Sequence, residues 1–164
     1  MKYNGNYIEA LYHSMSNGKT ESPKYIWGNN LSYLQSVSSN WDKNLPEYKK
    51  TIFLTYKELG IKLGIKNLNE NINIKVNSYT VSNRVNSITI QDKIFSGVTI
   101  RNKLNLRSTD FTINKVTNGV NITTTGNGHG VGMSQYGANE AAKEGYTYSE
   151  ILKHYYTGIS IVKV

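Results

Sequence analysis

Gly126-Asn-Gly-His-Gly-Val-Gly-Met-Ser-Gln-Tyr-Gly-Ala138 is the stretch from which the rest of this chain is best read. Glycines alternate around a single histidine, and a Ser-Gln-Tyr cluster follows at once. Glycine removes the Cβ and lets the backbone take positive φ or approach another surface closely. Polar side chains between so many glycines make poor core material, so the segment reads as a loop wall against which a ligand lies. Ala138-Asn-Glu-Ala-Ala-Lys-Glu144 behind it is strongly helix-forming. The loop is therefore expected to run into a helix N-terminus, with Ser134 or a neighbour as the cap and N–H groups directed outward.

Working outward, punctuation alternates with short periodic runs. Tyr3-Asn-Gly-Asn6 carries the Asn-Gly hairpin signal, and Ile8 to Ser14 reads as a short strand after it. Ser16-Asn-Gly-Lys19 is a turn. Ser22-Pro23 predicts a cap with proline at the first helical position, opening a brief helix through Trp27. Leu31 to Val37 is apolar enough to be partly buried. Tyr48 to Leu54 reads as a strand, and Thr55-Tyr-Lys-Glu58 is a capping box for a short helix. Ile72 to Val76 and Val85 to Ile90 alternate as half-buried strands. Ser96 or Gly97 opens a helix through Leu104. Phe111 to Val116 and Val120 to Thr124 form a hairpin across Thr117-Asn-Gly119. Thr147-Tyr-Ser-Glu150 is a second capping box, its helix ending near Tyr156 at Gly158, and Ile159 to Val164 reads as a last strand. The sum is an α+β fold, a mostly antiparallel sheet with several short helices packed on it. No repeat, low-complexity stretch or internal linker interrupts the chain, so residues 1–164 read as a single domain.

The totals agree with a globular chain. It has 164 residues, 38% hydrophobic and 11% aromatic, enough for a packed core. Tyrosine dominates the aromatics, with 13 against 2 tryptophans and 3 phenylalanines. Its apolar face and polar tip suit carbohydrate surfaces as well as half-buried sheet. The formal net charge of +8 suits an anionic partner such as nucleic acid, anionic lipid or a cell-wall polymer. Evenly solvated lysines are the alternative, since no run of five or six basic residues occurs. There is no cysteine, which excludes disulfides and thiolate metal sites. The 3 histidines match no metal-ligand spacing, so no metal and no cofactor is expected. No apolar stretch is long enough to span a membrane. Met1-Lys-Tyr-Asn-Gly-Asn6 does not read as a signal peptide but as the middle of a strand–turn–strand, as if the chain began inside a hairpin.

Five segments in order carry a resemblance. Gly128-His-Gly-Val-Gly-Met-Ser-Gln-Tyr-Gly-Ala138 resembles the signature of the stage II sporulation protein D / LytB (amidase enhancer) family. Tyr12-His-Ser-Met-Ser-Asn-Gly-Lys-Thr-Glu21 with Trp27, Tyr33-Leu-Gln-Ser-Val37 with Trp41-Asp42, and Arg101 with Leu104-Asn-Leu-Arg-Ser-Thr109 and Phe111 resemble further family segments. Ile151-Leu-Lys-His-Tyr-Tyr-Thr-Gly158 resembles its C-terminal segment. The resemblance implies a peptidoglycan lytic transglycosylase that acts on glycan strands stripped of stem peptides during engulfment of the forespore, together with a cell-wall amidase. It implies a place outside the cytoplasm, at the wall between mother cell and forespore, with membrane attachment only through an upstream anchor. No nucleic-acid partner is implied. The family's catalytic glutamate belongs to an N-terminal segment with no counterpart in these residues, so 1–164 is expected to be the C-terminal portion of such a domain. Lytic cleavage needs one acid to protonate the leaving oxygen, after which the 6-hydroxyl closes on the anomeric carbon; a single carboxyl in a sheltered groove can serve both steps.

Which residues would face the glycan follows from chemistry and resemblance together. His129 ranks first: its glycine neighbours expose the ring for orienting substrate or relaying a proton, although it could equally brace its own loop. Ser134, Gln135 and Tyr136 are placed to hydrogen-bond sugar hydroxyls or N-acetyl groups. His13 and Ser14 follow a strand and would line the same groove. Among local carboxylates, Glu21 is the best substitute acid ahead of Asp42, Asp110 and Glu140, with a turn carboxylate binding backbone N–H groups as its plainer role. Asp110 reads as a turn or exposed strand residue and Glu140 as a solvated first-turn helix residue. Trp27, Trp41 and the tyrosines are candidate stacking faces, with core packing the alternative, notably for Tyr155 and Tyr156. Arg101 and Arg107 are expected to tie a helix to the sheet. A Ser–His nucleophile pair lacks an acidic orienter at any readable spacing. Two rivals to a transglycosylase stay open: a non-catalytic wall-binding module or amidase enhancer, and a truncated frame without a function of its own.

Overall fold

The structure, a computed structural model, describes residues 1–163. In chain order the elements are strands β1 (Lys2–Tyr3), β2 (Asn6–Tyr7) and β3 (Tyr12–His13), helix α1 (Lys24–Trp27), a 3-10 helix at Asn40–Asn44, β4 (Lys49–Thr55), α2 (Tyr56–Leu63), β5 (Ile74–Tyr79), β6 (Val85–Ile90), β7 (Lys93–Ser96), α3 (Gly97–Leu104), β8 (Phe111–Val116), β9 (Gly119–Thr125), β10 (Met133–Ser134), α4 (Gln135–Lys143) and α5 (Tyr148–Tyr155). This is the expected α+β fold, antiparallel in every pairing between these strands except β10 with β3. The described residues gather into two compact units, one of Met1–Tyr48 with Gly126–Val164, the other Lys49–Thr125.

The second unit holds two three-stranded sheets, β4-β9-β8 and β5-β6-β7. Alternation decides which side chains turn inward. Ile52 and Leu54 of β4 pack on the core while Phe53 between them faces out. Helices α2 and α3 bury Leu59, Leu63, Ile100 and Leu104 into the same cluster with Ile88, Ile90, Val120 and Ile122. The capping box at Thr55 forms as expected: its hydroxyl accepts the Glu58 amide and the Glu58 carboxylate accepts the Thr55 amide. Ser96 caps α3 through the Thr99 amide. At the other end of α3, Arg101 Nε donates to the Leu106 carbonyl at 3.3 Å. The hairpin of β8 and β9 forms as expected, but β9 begins at Gly119 rather than Val120, with Val116 opposite Gly119 and Asn118 at φ 64°. Strand β7 escapes the sequence reading. So does the true start of β5, which is Ile74 rather than Ile72, although Ile72 is buried.

The first unit is built of short pieces around Tyr33, Leu34, Val131, Ala141, Ile151, Tyr155, Tyr156 and Ile159. The Asn-Gly hairpin forms, with Asn4 at φ 47° and Gly5 at φ 82°. Thr147 and Glu150 make the second capping box. Two expectations need correction. The strand foreseen over Ile8 to Ser14 shrinks to Tyr12–His13, because the only ladder it finds is the two-residue parallel pairing with β10. The last strand, Ile159 to Val164, is reduced to one bridge between Lys2 and Ser160. Its alternation reflects Ile159 and Ile161 packing on the core, not a ladder. Val164 lies outside the described residues. At α1, Pro23 has helical dihedrals as foreseen, but no side chain caps the helix.

Candidate functional site

Apart from Asp110, Arg101 and Arg107, the site candidates fall in the first unit, and the glycine loop organises them. Asn127 exchanges two backbone hydrogen bonds with Met15, at 2.9 and 2.8 Å, and Gly130 accepts the Glu21 amide at 2.7 Å. Gly132, at φ 73°, sits so close to Leu11 that a Cβ there would lie 1.9 Å from the Leu11 carbonyl oxygen. Only glycine allows that approach. The loop is thus tied to Leu11, Met15 and Glu21 before it enters β10.

Val131, fully buried, joins two histidines. Its N–H donates to His129 Nδ1 at 3.1 Å, and its carbonyl lies 3.1 Å from His13 Nδ1. An acceptor at Nδ1 puts the proton of neutral His129 on Nε2, whereas His13 must carry its proton on Nδ1 to donate. The two rings stand 6.0 Å apart. Trp27 meets His129 edge-on with centroids 5.2 Å apart, and half of the Trp27 side chain is exposed. Gly128 lies against His13, where an added Cβ would come 2.9 Å from His13 Cβ. His129 therefore does brace its own loop, and it also stands half-exposed beside an open indole.

The remaining candidates divide between interior and surface. Gln135 and Tyr136 open α4 on the exposed side, Tyr136 at 50% exposure. The Tyr136 amide donates to the Ser14 carbonyl at 3.1 Å, which fixes half-buried Ser14 beside the helix start. Tyr12, one position before His13, is exposed as well. Ser134 is fully buried: its hydroxyl caps α4 through the Gly137 amide at 3.1 Å and donates to Asp42 Oδ1 at 2.8 Å. Glu21 is also fully buried, and its Oε1 accepts the Ser22 amide at 2.8 Å, the turn-carboxylate role. The loop thus brings His129, His13 and Trp27 together, sets Gln135, Tyr136 and Ser14 at the adjoining helix start, and turns Ser134 inward.

Asp42 is the residue whose part the sequence hides. Its carboxylate, fully buried, accepts from Ser16 at 2.6 Å, Ser39 at 2.7 Å and Ser134 at 2.8 Å. Ser39 in turn meets the Tyr155 hydroxyl at 2.6 Å. Burial pushes the Tyr155 phenol far above the ordinary tyrosine value, with the Asp42 charge adding to the rise. Tyr155 and Tyr156 are core residues, as the packing alternative had them. Trp41 is held by a hydrogen bond to Glu144 at 2.8 Å and by edge contacts with Tyr146 and His154. Glu140 lies beyond the first turn of α4, not within it, and pairs with Lys143 at 2.7 Å. Asp110 is a turn residue, its amide accepted by the Ser108 hydroxyl. Among the described residues, no group of three His, Cys, Asp or Glu side chains is placed to share a metal ion.

Fold and cluster define the class first: an α+β protein whose glycine loop, fixed from behind by buried hydrogen bonds, sets a histidine beside a tryptophan of helix α1. The chain is 44% identical over 161 residues to stage II sporulation protein D of Bacillus subtilis (strain 168), a match covering 98% of this chain and 47% of that protein. It is 40% identical, with the same coverage, to stage II sporulation protein D of Bacillus amyloliquefaciens. It is 27% identical to the amidase enhancer of Bacillus subtilis (strain 168), covering 98% of this chain and 30% of that protein. No protein-family model matches it. The chain belongs to the stage II sporulation protein D / amidase enhancer family and corresponds to about half the length of the sporulation proteins it matches.

Proposed function

We propose that this chain is the C-terminal, glycan-holding portion of a peptidoglycan-remodelling sporulation protein, working outside the cytoplasm at the wall between mother cell and forespore. The observation that carries this reading is the half-exposed Trp27 indole standing edge-on to His129 of a clamped glycine loop. A half-exposed indole offers a stacking surface for a pyranose ring, and the Nε2–H of neutral His129 is a donor for sugar or N-acetyl oxygens. Tyr136 and Gln135, exposed at the start of α4, extend the surface, and His13 holds the loop from behind. Ser134 contributes indirectly, by fixing the helix cap on Asp42.

In the lytic reading, a carboxyl protonates the leaving oxygen and the 6-hydroxyl attacks the anomeric carbon. Among the carboxylates of the first unit singled out from the sequence, Glu21 and Asp42 are sealed from solvent and Glu140 is paired with Lys143. The acid would then come from the family's glutamate-bearing segment, which is not among these residues. The second reading, an amidase enhancer that binds glycan without cutting it, is favoured by the same burial and by the name of one relative. A cell-wall amidase is the partner both readings share.

The test is to mix the chain with purified glycan strands stripped of stem peptides, measuring binding by co-sedimentation and cleavage by the appearance of anhydro sugar ends. Binding that falls about tenfold in both Trp27→Ala and His129→Gln, in proteins that remain folded, supports the glycan wall. Binding unchanged in both variants overturns it. Anhydro ends produced by the chain alone would place the acid within these residues after all.

A further inference from the structure

The second unit carries a feature that the glycan reading does not use. An open groove of about 550 Å³ runs along α2 and the segment behind it, lined by Tyr56, Lys57, Gly60, Ile61, Gly64, Ile65, Lys66, Asn67 and Leu68. Its walls are mainly apolar. Gly64, the C-cap just past α2, leaves open space beside the helix, and Ile61 is 71% exposed. An isoleucine this open, next to a concave apolar surface, is an anchor without a core. The Tyr56 hydroxyl offers no sugar donor, because it donates to the Val116 carbonyl at 3.1 Å.

Charge decides what would fill the groove. Lys57 and Lys66 line it, and no carboxylate does. The one acidic residue of α2, Glu58, is turned back onto Thr55 by the capping box. Among the described residues neither lysine has a carboxylate partner. An apolar trough flanked by two uncompensated ammonium groups is complementary to an apolar side chain flanked by Asp or Glu. A glycan would find few hydrogen-bond partners there, and two lysines beside a hydrophobic slot do not track a nucleic-acid backbone.

We infer that the α2 groove docks an acidic segment of a partner protein, an apolar side chain seated beside Ile61 and Gly64 with carboxylates meeting Lys57 and Lys66. This inference does not depend on glycan binding. Its residues belong to Lys49–Thr125, whereas Trp27, His129, Gln135 and Tyr136 lie outside that span, so the two readings fail separately.

The test titrates the full 15N-labelled chain with the synthetic peptide Asp-Glu-Leu-Asp-Ile-Leu-Glu-Asp, against the same peptide with every acid replaced by Lys and another with every apolar residue replaced by Ser. The expected result is amide shift changes confined to residues 56–68 and produced by the first peptide alone. Affinity should fall about tenfold in the double variant Lys57→Glu with Lys66→Glu, and severalfold in Ile61→Ser. A salt titration on the unaltered chain reads the same charge dependence without any substitution. No shifts, shifts scattered over surface lysines, or equal binding of the Ser-substituted peptide each overturn the inference. So does concentration-dependent self-association that Ile61→Ser abolishes, which would assign the groove to a second copy of the chain.

Discussion

His13 and His129 are held on opposite ends of one residue, the first at the Val131 carbonyl and the second at its N–H, with rings 6.0 Å apart. Each ring satisfies one half of a buried backbone position, so the two act on the same short segment. Truncating His129 to Ala strands a buried N–H, and truncating His13 strands a buried carbonyl; each should cost about 1–3 kcal/mol. Because both strains fall on Val131, the double variant should cost less than the sum, with a coupling of about 0.5 kcal/mol or more. Urea denaturation of the four proteins measures it. Strict additivity would mean that the histidines serve independent structures.

The second support of the loop lies behind Ser134. Asp42 collects three serine hydroxyls, and Gly137 leaves room for them: a Cβ there would stand 2.5 Å from the Tyr155 hydroxyl and 2.9 Å from Asp42 Oδ2. Asp42→Ala leaves those hydroxyls without their acceptor and should destabilise the chain by about 3 kcal/mol, with Asp42→Asn milder because one acceptor oxygen remains. Gly137→Ala should act like Asp42→Ala, by prying the cluster apart rather than emptying it. Thermal melts that rank Gly137→Ala with ordinary surface substitutions would contradict the packing.

These contacts also show where the sequence stops being readable. Features written in adjacent residues came through: both capping boxes, the Asn-Gly hairpin, the Ser134 cap and the alternation of β5 and β6. Each is decided within one turn or one strand. The Asp42 cluster joins residues 26 and 92 positions away, and no local pattern marks such a pairing. Strand β10 exists only because β3 lies beside it, and among the described residues of the apolar run after Gly158 only Ser160 bridges to a partner, so no ladder forms there. At the candidate site, glycine density located the loop and singled out His129. That Ser134 faces inward depended on Asp42, 92 positions away, and that Trp27 stays half-exposed depended on where α1 meets the loop.

Two buried phenols set an alkaline limit. Burial raises Tyr156 to about 12, against an ordinary 10, while its hydroxyl donates to the Leu11 carbonyl at 2.7 Å. Tyr155 is raised further, again by burial. With folded values above unfolded ones, their stabilisation is complete below pH 10. It is lost as pH climbs toward 12, because the unfolded chain releases these protons first. Stability measured by urea midpoints should therefore decline through that window. Tyr156→Phe should lower stability at neutral pH by about 1 kcal/mol, through the lost hydrogen bond, yet flatten the alkaline decline. An equally steep decline in the variant would assign the alkaline loss elsewhere.

The acid side belongs to the helix starts. At Thr147 the hydroxyl accepts the Glu150 amide, and the Glu150 carboxylate accepts from both the amide and the hydroxyl of Thr147. Those bonds hold the Glu150 carboxyl below its ordinary range, and the matching bonds at Thr55 do the same for Glu58. A depressed folded value means that the contribution is present above the unfolded pKa and disappears as pH falls through the folded one. Thr147→Ala should cost about 1 kcal/mol at neutral pH, the usual worth of an N-cap. It should also loosen α5 first, since amide exchange reports the opening of the element that lost its cap. Glu150→Gln separates charge from geometry: the amide oxygen can still accept the Thr147 N–H, so the cap persists while its acid dependence vanishes. Exchange at Ile151 and Leu152 followed from pH 6 to pH 3 would show protection falling in the parent chain and holding level in Glu150→Gln. If the two fall together, the acid sensitivity of α5 arises outside its capping box.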